Sequence, residues 1–103
     1  MLYLCFMNTE YQNKHNLSNL GIECLNEMQK AAQRTIINEQ NVLLLSPTGS
    51  GKTLAVLLPV LQLLDENISN IQCLIVVPSR ELALQTEQVW KKLGNKYKVN
   101  VCY

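Results

Sequence analysis

A zinc site or a disulfide framework is the first thing this chain lacks the residues to build. It has one histidine, His15, and four cysteines, Cys5, Cys24, Cys73 and Cys102, at wide and irregular spacing with no CxxC pair. That pattern argues for free thiols in a reducing compartment. Charge of one sign is lacking too: nine basic and eight acidic residues leave a net charge of +1. No global field draws in a nucleic acid, so any such contact must be local. Long apolar runs are also missing. Leu2–Met7 has no preceding positive charge and is too short for a secretory signal, so it reads as a chain end that docks on the domain. Leu54–Leu64 contains Pro59 and Gln62 and reaches about half of the ~20 residues a membrane span needs. The expectation is a soluble, cytoplasmic chain with no membrane partner.

What is present is a globular composition, 48% hydrophobic and 17% charged over 103 residues. Such a chain can bury one core, so it is one domain or a piece of one. Leu17 and Leu20 are spaced one helical turn apart and Gly21 is placed to end a short helix. The residues Met28, Ala31, Ala32, Thr35 and Ile36 recur at three- and four-residue intervals, which predicts one face of a helix with Asn26 as its N-cap. Asn41–Leu45 is a continuous apolar run and predicts a strand covered on both faces. Lys52 to about Leu64 predicts a buried helix in which Pro59 removes one backbone hydrogen bond. Asp65–Asn70 is a polar loop, and Cys73–Val77 a second buried strand that breaks at Pro78. From Arg80 onward Leu82, Ala83, Thr86, Val89, Trp90 and Leu93 mark a helical face, with Glu81 in the first turn, Lys91 and Lys92 in the last, and Gly94 beyond it. Val99–Tyr103 begins a third strand. Strands alternating with helices across short loops predict an α/β fold, a parallel sheet with helices on both faces. Residues 1–20 form an N-terminal extension with a short helix, and residues 21–103 form the body.

The strongest chemical signal is Ser46-Pro47-Thr48-Gly49-Ser50-Gly51-Lys52-Thr53, between a predicted strand and a predicted helix. Glycines let successive backbone N–H groups turn toward phosphate oxygens, and the helix N-terminus adds partial positive charge. In such a loop Lys52 reaches the β- and γ-phosphates of a nucleotide and the Thr53 hydroxyl ligates Mg²⁺. These two are the candidate catalytic residues. The strict pattern has glycine where this chain has Ser46, which is still a small residue suited to the tight turn. The bland alternative is a glycine-rich surface turn.

This string resembles motif I of the DEAD-box helicases, and Pro78-Ser79-Arg80-Glu81-Leu82-Ala83-Leu84-Gln85 resembles their motif Ia. A phosphate loop alone is common to many ATPases, whereas the second match narrows the family. Upstream, Gly21-Ile22 followed by Met28-Gln29 resembles the Q motif, with Leu25-Asn26 where the family favours Pro-Thr. The resemblance covers roughly residues 17 to 103. It implies a RecA-like domain, of which 21–103 would be the first portion, truncated after about three strands. It also implies ATP and Mg²⁺ as ligands and RNA, or DNA, as the substrate.

Gln29 has two readings. Its amide has the geometry to pair with adenine N6 and N7, the role the family resemblance implies. Asn26 and Gln29 also have the spacing of a capping box, in which Gln29 reaches back to the Asn26 N–H. For Pro78, Ser79 and Arg80, a basic residue at a helix N-terminus makes an anion site suited to a nucleic-acid phosphate. The resemblance implies that Ser79 and Arg80 face an RNA backbone; the alternative is that Arg80 pairs with an acidic neighbour.

Hydrolysis in a phosphate-loop enzyme needs an acid near the magnesium and the attacking water. The only aspartate, Asp65, lies thirteen residues beyond Lys52, with no room for the intervening helix to turn back into a strand. Leu61–Glu66 is therefore read as the end of that helix, about 18 Å from the phosphates. The family's DEAD box, motif III and second motor domain with its arginine finger do not follow. The expectation is an incomplete copy of a longer helicase, inactive without the missing remainder. A phosphate-loop ATPase or kinase of another class fits Gly49–Thr53 but leaves Pro78–Gln85 unexplained. A non-catalytic module that binds a partner strand along Val99–Tyr103 is the third possibility.

Overall fold

A computed structural model of the chain describes residues 17–93 and 97–102. The apolar run Leu2–Met7, His15, Gly94 and Tyr103 lie outside the described residues.

Among the described residues three helices carry the structure: α1 (Glu27–Asn38), α2 (Lys52–Leu63) and α3 (Arg80–Lys92). A helical turn precedes them and ends at Gly21, which has φ +70°. There the Gly21 N–H donates to the Ser18 carbonyl (3.1 Å) and the Ile22 N–H to the Leu17 carbonyl (3.1 Å). This is the paired 5→2 and 6→1 closure that a left-handed glycine permits, and Leu17 and Ile22 both pack into the core behind it.

Each helix begins differently. α1 starts with a capping box: the Gln29 N–H donates to Asn26 Oδ1 (2.8 Å) and the Asn26 N–H to Gln29 Oε1 (3.0 Å). α3 starts with Ser79, whose Oγ accepts from the Leu82 N–H (3.2 Å). α2 starts at Gly51, with no side-chain cap. Its first N–H groups therefore have no partner inside the helix.

α2 is the central element, and α1 packs along it more extensively than α3 does. Leu54, Leu57 and Leu58 of α2 form one buried cluster with Leu17, Trp90 and Leu93. Burying each such leucine contributes about 1.5–3 kcal/mol. Pro59 is fully buried in the same helix, where apolar cover from the neighbouring elements offsets the missing hydrogen bond. Tyr97 closes one end: its hydroxyl donates to the Leu64 carbonyl (3.1 Å), and its own carbonyl accepts from Trp90 Nε1 (3.4 Å).

The predicted α3 face is the buried or half-buried one at Leu82, Ala83, Thr86, Val89, Trp90 and Leu93. The predicted face of α1 is only partly so. Ala32 is buried and Met28 and Ile36 half-buried, but Ala31 and Thr35 are exposed and Gln29 is buried instead.

The expected α/β fold, a parallel sheet with helices on both faces, is not what the structure holds. Among the described residues there are three helices and no strand. The segments read as strands, Asn41–Leu45, Cys73–Val77 and the start of Val99–Tyr103, are irregular, and no ladder of backbone hydrogen bonds joins them. Leu43, Leu45, Leu74 and Val76 are 82–84% exposed. A strand exists only through a neighbour that takes up its N–H and C=O groups. A continuous apolar run signals a need for cover on both faces, and here the helices cover one another instead.

Candidate nucleotide-binding site

The loop from Ser46 to Thr53 folds over itself at the start of α2. Two glycines make this possible: Gly49 at φ +80° and Gly51 at φ +89°, a region that costs an L-residue about 1–2 kcal/mol. Ser46 Oγ donates to Ser50 Oγ (2.6 Å), and Ser50 Oγ donates to the Pro47 carbonyl (2.6 Å). The Ser50 N–H also donates to the Pro47 carbonyl (3.3 Å), closing a tight turn over Thr48 and Gly49. The serine that replaces the first glycine of the phosphate-loop pattern thus staples the loop through its hydroxyl.

Lys52 bends back across this turn. Its Nζ donates to the Ser46 carbonyl (2.6 Å) and to the Pro47 carbonyl (2.8 Å). An ammonium has three protons to give, so two hold the loop and one is left over. Thr53 follows, half-buried in the first turn of α2. Among the described residues, the loop amides of Gly49, Gly51, Lys52 and Thr53 have no carbonyl partner. Four donors at an uncapped helix N-terminus make a cradle for an anion. Triphosphate oxygens therefore fit the residues present: the donors are available, and the glycines supply the backbone conformation that presents them.

α1 forms the wall of this cradle. Asn26 Nδ2 donates to the Ser50 carbonyl (3.1 Å), and Gln29 Nε2 donates to the Gly51 carbonyl (3.3 Å). Gln29 is buried at 6% exposure with both ends of its amide engaged, Oε1 in the capping box and Nε2 on the loop. The capping-box reading of this residue is present in the geometry. An amide oxygen has two lone pairs and an amide nitrogen two protons, which leaves one of each for a further partner. A Cβ added at Gly51 would overlap Gln29 Nε2, so a side chain there would have to displace the Gln29 amide as well as strain φ.

Pro78, Ser79 and Arg80 are all exposed and lie together where α3 begins. The Ser79 hydroxyl is committed as the cap of α3, which leaves its proton, not its accepting lone pair, for a ligand. The acidic stretch after α2 is structural. Asp65 Oδ1 accepts from the Asn67 N–H (2.9 Å) and from Asn67 Nδ2 (2.9 Å), and the Asp65 backbone is clasped by the Gln72 amide (2.8 Å on each side). The side chain closes a turn beyond the far end of α2 rather than facing the loop.

Sequence reasoning missed Asn26 as a loop contact. Its N-cap role was legible, but its second bond reaches a carbonyl 24 residues away. The one available signal was an amide side chain, with a donor to spare, where the resemblance favours threonine.

The family model described as DEAD/DEAH box helicase matches residues 26–103. Three curated relatives are similar over 81 residues, or 79% of this chain. They are the ATP-dependent RNA helicase DHH1 of Gibberella zeae (41% identical), that of Neurospora crassa (41%) and the DEAD-box ATP-dependent RNA helicase 8 of Arabidopsis thaliana (40%). The matched region is 16%, 14% and 16% of their respective lengths, so the chain spans about one-sixth of the relatives it matches. No solved structure matches it significantly. With the phosphate loop, its glycines and the Pro78–Gln85 segment all inside the matched residues, the chain belongs to the DEAD/DEAH box helicase family.

Proposed function

We propose that these residues are the ATP-binding part of an RNA helicase, in which ATP hydrolysis is coupled to unwinding of RNA, or DNA, duplexes by the longer helicase unit. The observation that carries this reading is the loop at the start of α2. Gly49 and Gly51 hold it in a left-handed conformation, leaving amide donors at a helix N-terminus that no side chain caps. The amides of Gly49, Gly51, Lys52 and Thr53 would bind the phosphate oxygens, and Lys52 would exchange the Ser46 and Pro47 carbonyls for the β- and γ-phosphates. The Thr53 hydroxyl would hold a Mg²⁺ ion arriving with the nucleotide, and that ion would offset the negative charge of the phosphates. None of these groups can act as the base for hydrolysis, and Asp65 is tied into its own turn. The acid that orients water is therefore assigned to the longer unit. The exposed thiols of Cys24, Cys73 and Cys102 suit a reducing cytoplasm.

Gln29 is proposed to read the base, using the donor and acceptor its loop and cap bonds leave over. A bidentate amide–adenine pair is worth about 1–3 kcal/mol of discrimination. Gln29→Ala is expected to lower the ATP-to-GTP affinity ratio by roughly five- to a hundredfold, read by titrating both nucleotides with magnesium present. An equal loss for the two would confine Gln29 to its cap and its loop.

Pro78, Ser79 and Arg80 are proposed to meet the sugar–phosphate backbone of RNA. Phosphate contacts by basic side chains release counterions, and the logarithm of affinity then falls with the logarithm of salt. Arg80→Ala in a protein carrying the whole helicase unit is expected to weaken RNA binding regardless of sequence. The slope of that plot should flatten by about 0.7 for a single-stranded RNA. An unchanged slope would assign Arg80 to holding the chain together.

A further inference from the structure

Three donors of the phosphate loop converge on one carbonyl. The Pro47 oxygen accepts from Ser50 Oγ (2.6 Å), from Lys52 Nζ (2.8 Å) and from the Ser50 N–H (3.3 Å). A carbonyl oxygen has two lone pairs, so one more donor gathers there than it can serve well. A hydroxyl, an ammonium and an amide around one oxygen suit an anionic oxygen better, since hydrogen bonds with an ionised partner are about twice as strong as neutral ones. The Pro47 carbonyl thus occupies the loop's donors as a phosphate oxygen would, and a triphosphate must displace it. That displacement also frees the Ser50 N–H, which among the described residues is the one amide of Gly49–Thr53 bonded within the loop.

Ser46 holds Ser50 in this arrangement. Its Oγ donates to Ser50 Oγ (2.6 Å), and Ser50 gives its single hydroxyl proton onward to Pro47. A hydroxyl that accepts one hydrogen bond donates the next more strongly. We propose that the Ser46 hydroxyl is a latch that sets the phosphate affinity of the loop, by stabilising the state in which Pro47 occupies its donors. The inference rests on the phosphate-binding reading of that loop. Turning the Ser50 N–H away from Pro47 carries Ser50 Oγ with it and breaks the Ser46 bond. A bond made only by the empty loop opposes the ligand, because it is lost when the ligand binds. Glycine, which the strict pattern places at this position, has no hydroxyl to offer, so the latch belongs to this chain's departure from that pattern.

The test reads the sign of one substitution. Ser46→Ala keeps a small residue and removes only the hydroxyl. The probe is magnesium tripolyphosphate, which has no base, measured calorimetrically on the full chain. Ser46→Ala is expected to bind it roughly two- to tenfold more tightly, the effect of one hydrogen bond, while the thermal midpoint of the empty chain falls slightly. Ser46→Gly should tighten binding likewise. A residue that merely braced the loop would give the opposite sign, because removing a brace leaves donors to be ordered when the ligand binds. In a Ser50→Ala background the latch has nothing to hold, so Ser46→Ala is expected to add no further gain. Unchanged or weaker binding in Ser46→Ala overturns the proposal, and so does a gain that persists undiminished in Ser50→Ala. In both cases the phosphate-loop reading stands if the wild-type chain binds tripolyphosphate and Lys52→Ala does not. Wild-type chain that ignores tripolyphosphate, or binds it as well after Lys52→Ala, overturns the phosphate-loop reading itself and this proposal with it.

Discussion

Lys52→Ala is expected to abolish measurable Mg·ATP binding while leaving the thermal midpoint close to that of the wild type. The two halves of this result have different causes. Among the described residues the ammonium serves the Ser46 and Pro47 carbonyls, at 2.6 and 2.8 Å. Pro47 is exposed and Ser46 half-buried, so water takes over both carbonyls when the side chain is removed. The turn keeps its other ties, the Ser46–Ser50 and Ser50–Pro47 hydrogen bonds. With a triphosphate in the loop the balance changes, because Lys52 is the one cationic residue within Ser46–Thr53. Hydrogen bonds to charged groups are worth about 1.5–3 kcal/mol each, so losing two of them weakens binding by roughly two to four orders of magnitude. Titration of the variant beside its melting curve checks both halves. Affinity that survives the substitution would remove the basis for a nucleotide site here.

The helices and the loop were legible from residue type because their signals are local. Asn26 before Glu27, Gly21 after Leu20, and the alternation of Leu82, Ala83, Thr86, Val89 and Trp90 each act within a turn or two of chain. The tight turn between Ser46 and Thr53 was legible for the same reason, since it is made by its own glycines and serines. The strands were not. Asn41–Leu45 and Cys73–Val77 have the composition of covered strands, but pairing is a property of two segments, and composition reports on one. The buried Gln29 was misplaced by the same kind of gap. Hydropathy put Ala31 and Thr35 on the inner face of α1, whereas Gln29 is buried because it bonds Asn26 on one side and Gly51 on the other. A polar residue satisfied at both ends can occupy a core position that no apolar pattern marks. Asp65 shows the reverse case, an acid after an apolar run that imitates a motif by composition while its hydrogen bonds commit it to a turn.

The second large effect is expected at Gly51, and its comparison with Gly49 isolates the cause. Both glycines have positive φ, +80° and +89°, so alanine at either pays the left-handed penalty of about 1–2 kcal/mol. A Cβ at Gly49 would meet nothing within 4 Å, whereas one at Gly51 would overlap Gln29 Nε2. Gln29 has little freedom to give way. It is buried, its Oε1 is held by the Asn26 N–H at 3.0 Å, and its Nε2 is held by the Gly51 carbonyl at 3.3 Å. Moving it breaks the loop bond and strains the cap, at about 0.5–1.5 kcal/mol for each hydrogen bond lost. Gly51→Ala is thus expected to destabilise the chain by about 2–4 kcal/mol, and Gly49→Ala by only the backbone share, measured by urea denaturation at constant m-value. The same substitution moves the first amides of α2 off their line, so Gly51→Ala should lose nucleotide binding even at temperatures where it is folded. If the two alanine variants were equally stable, Gln29 would not be packed against the start of α2, and the contact between α1 and the loop would have to be abandoned.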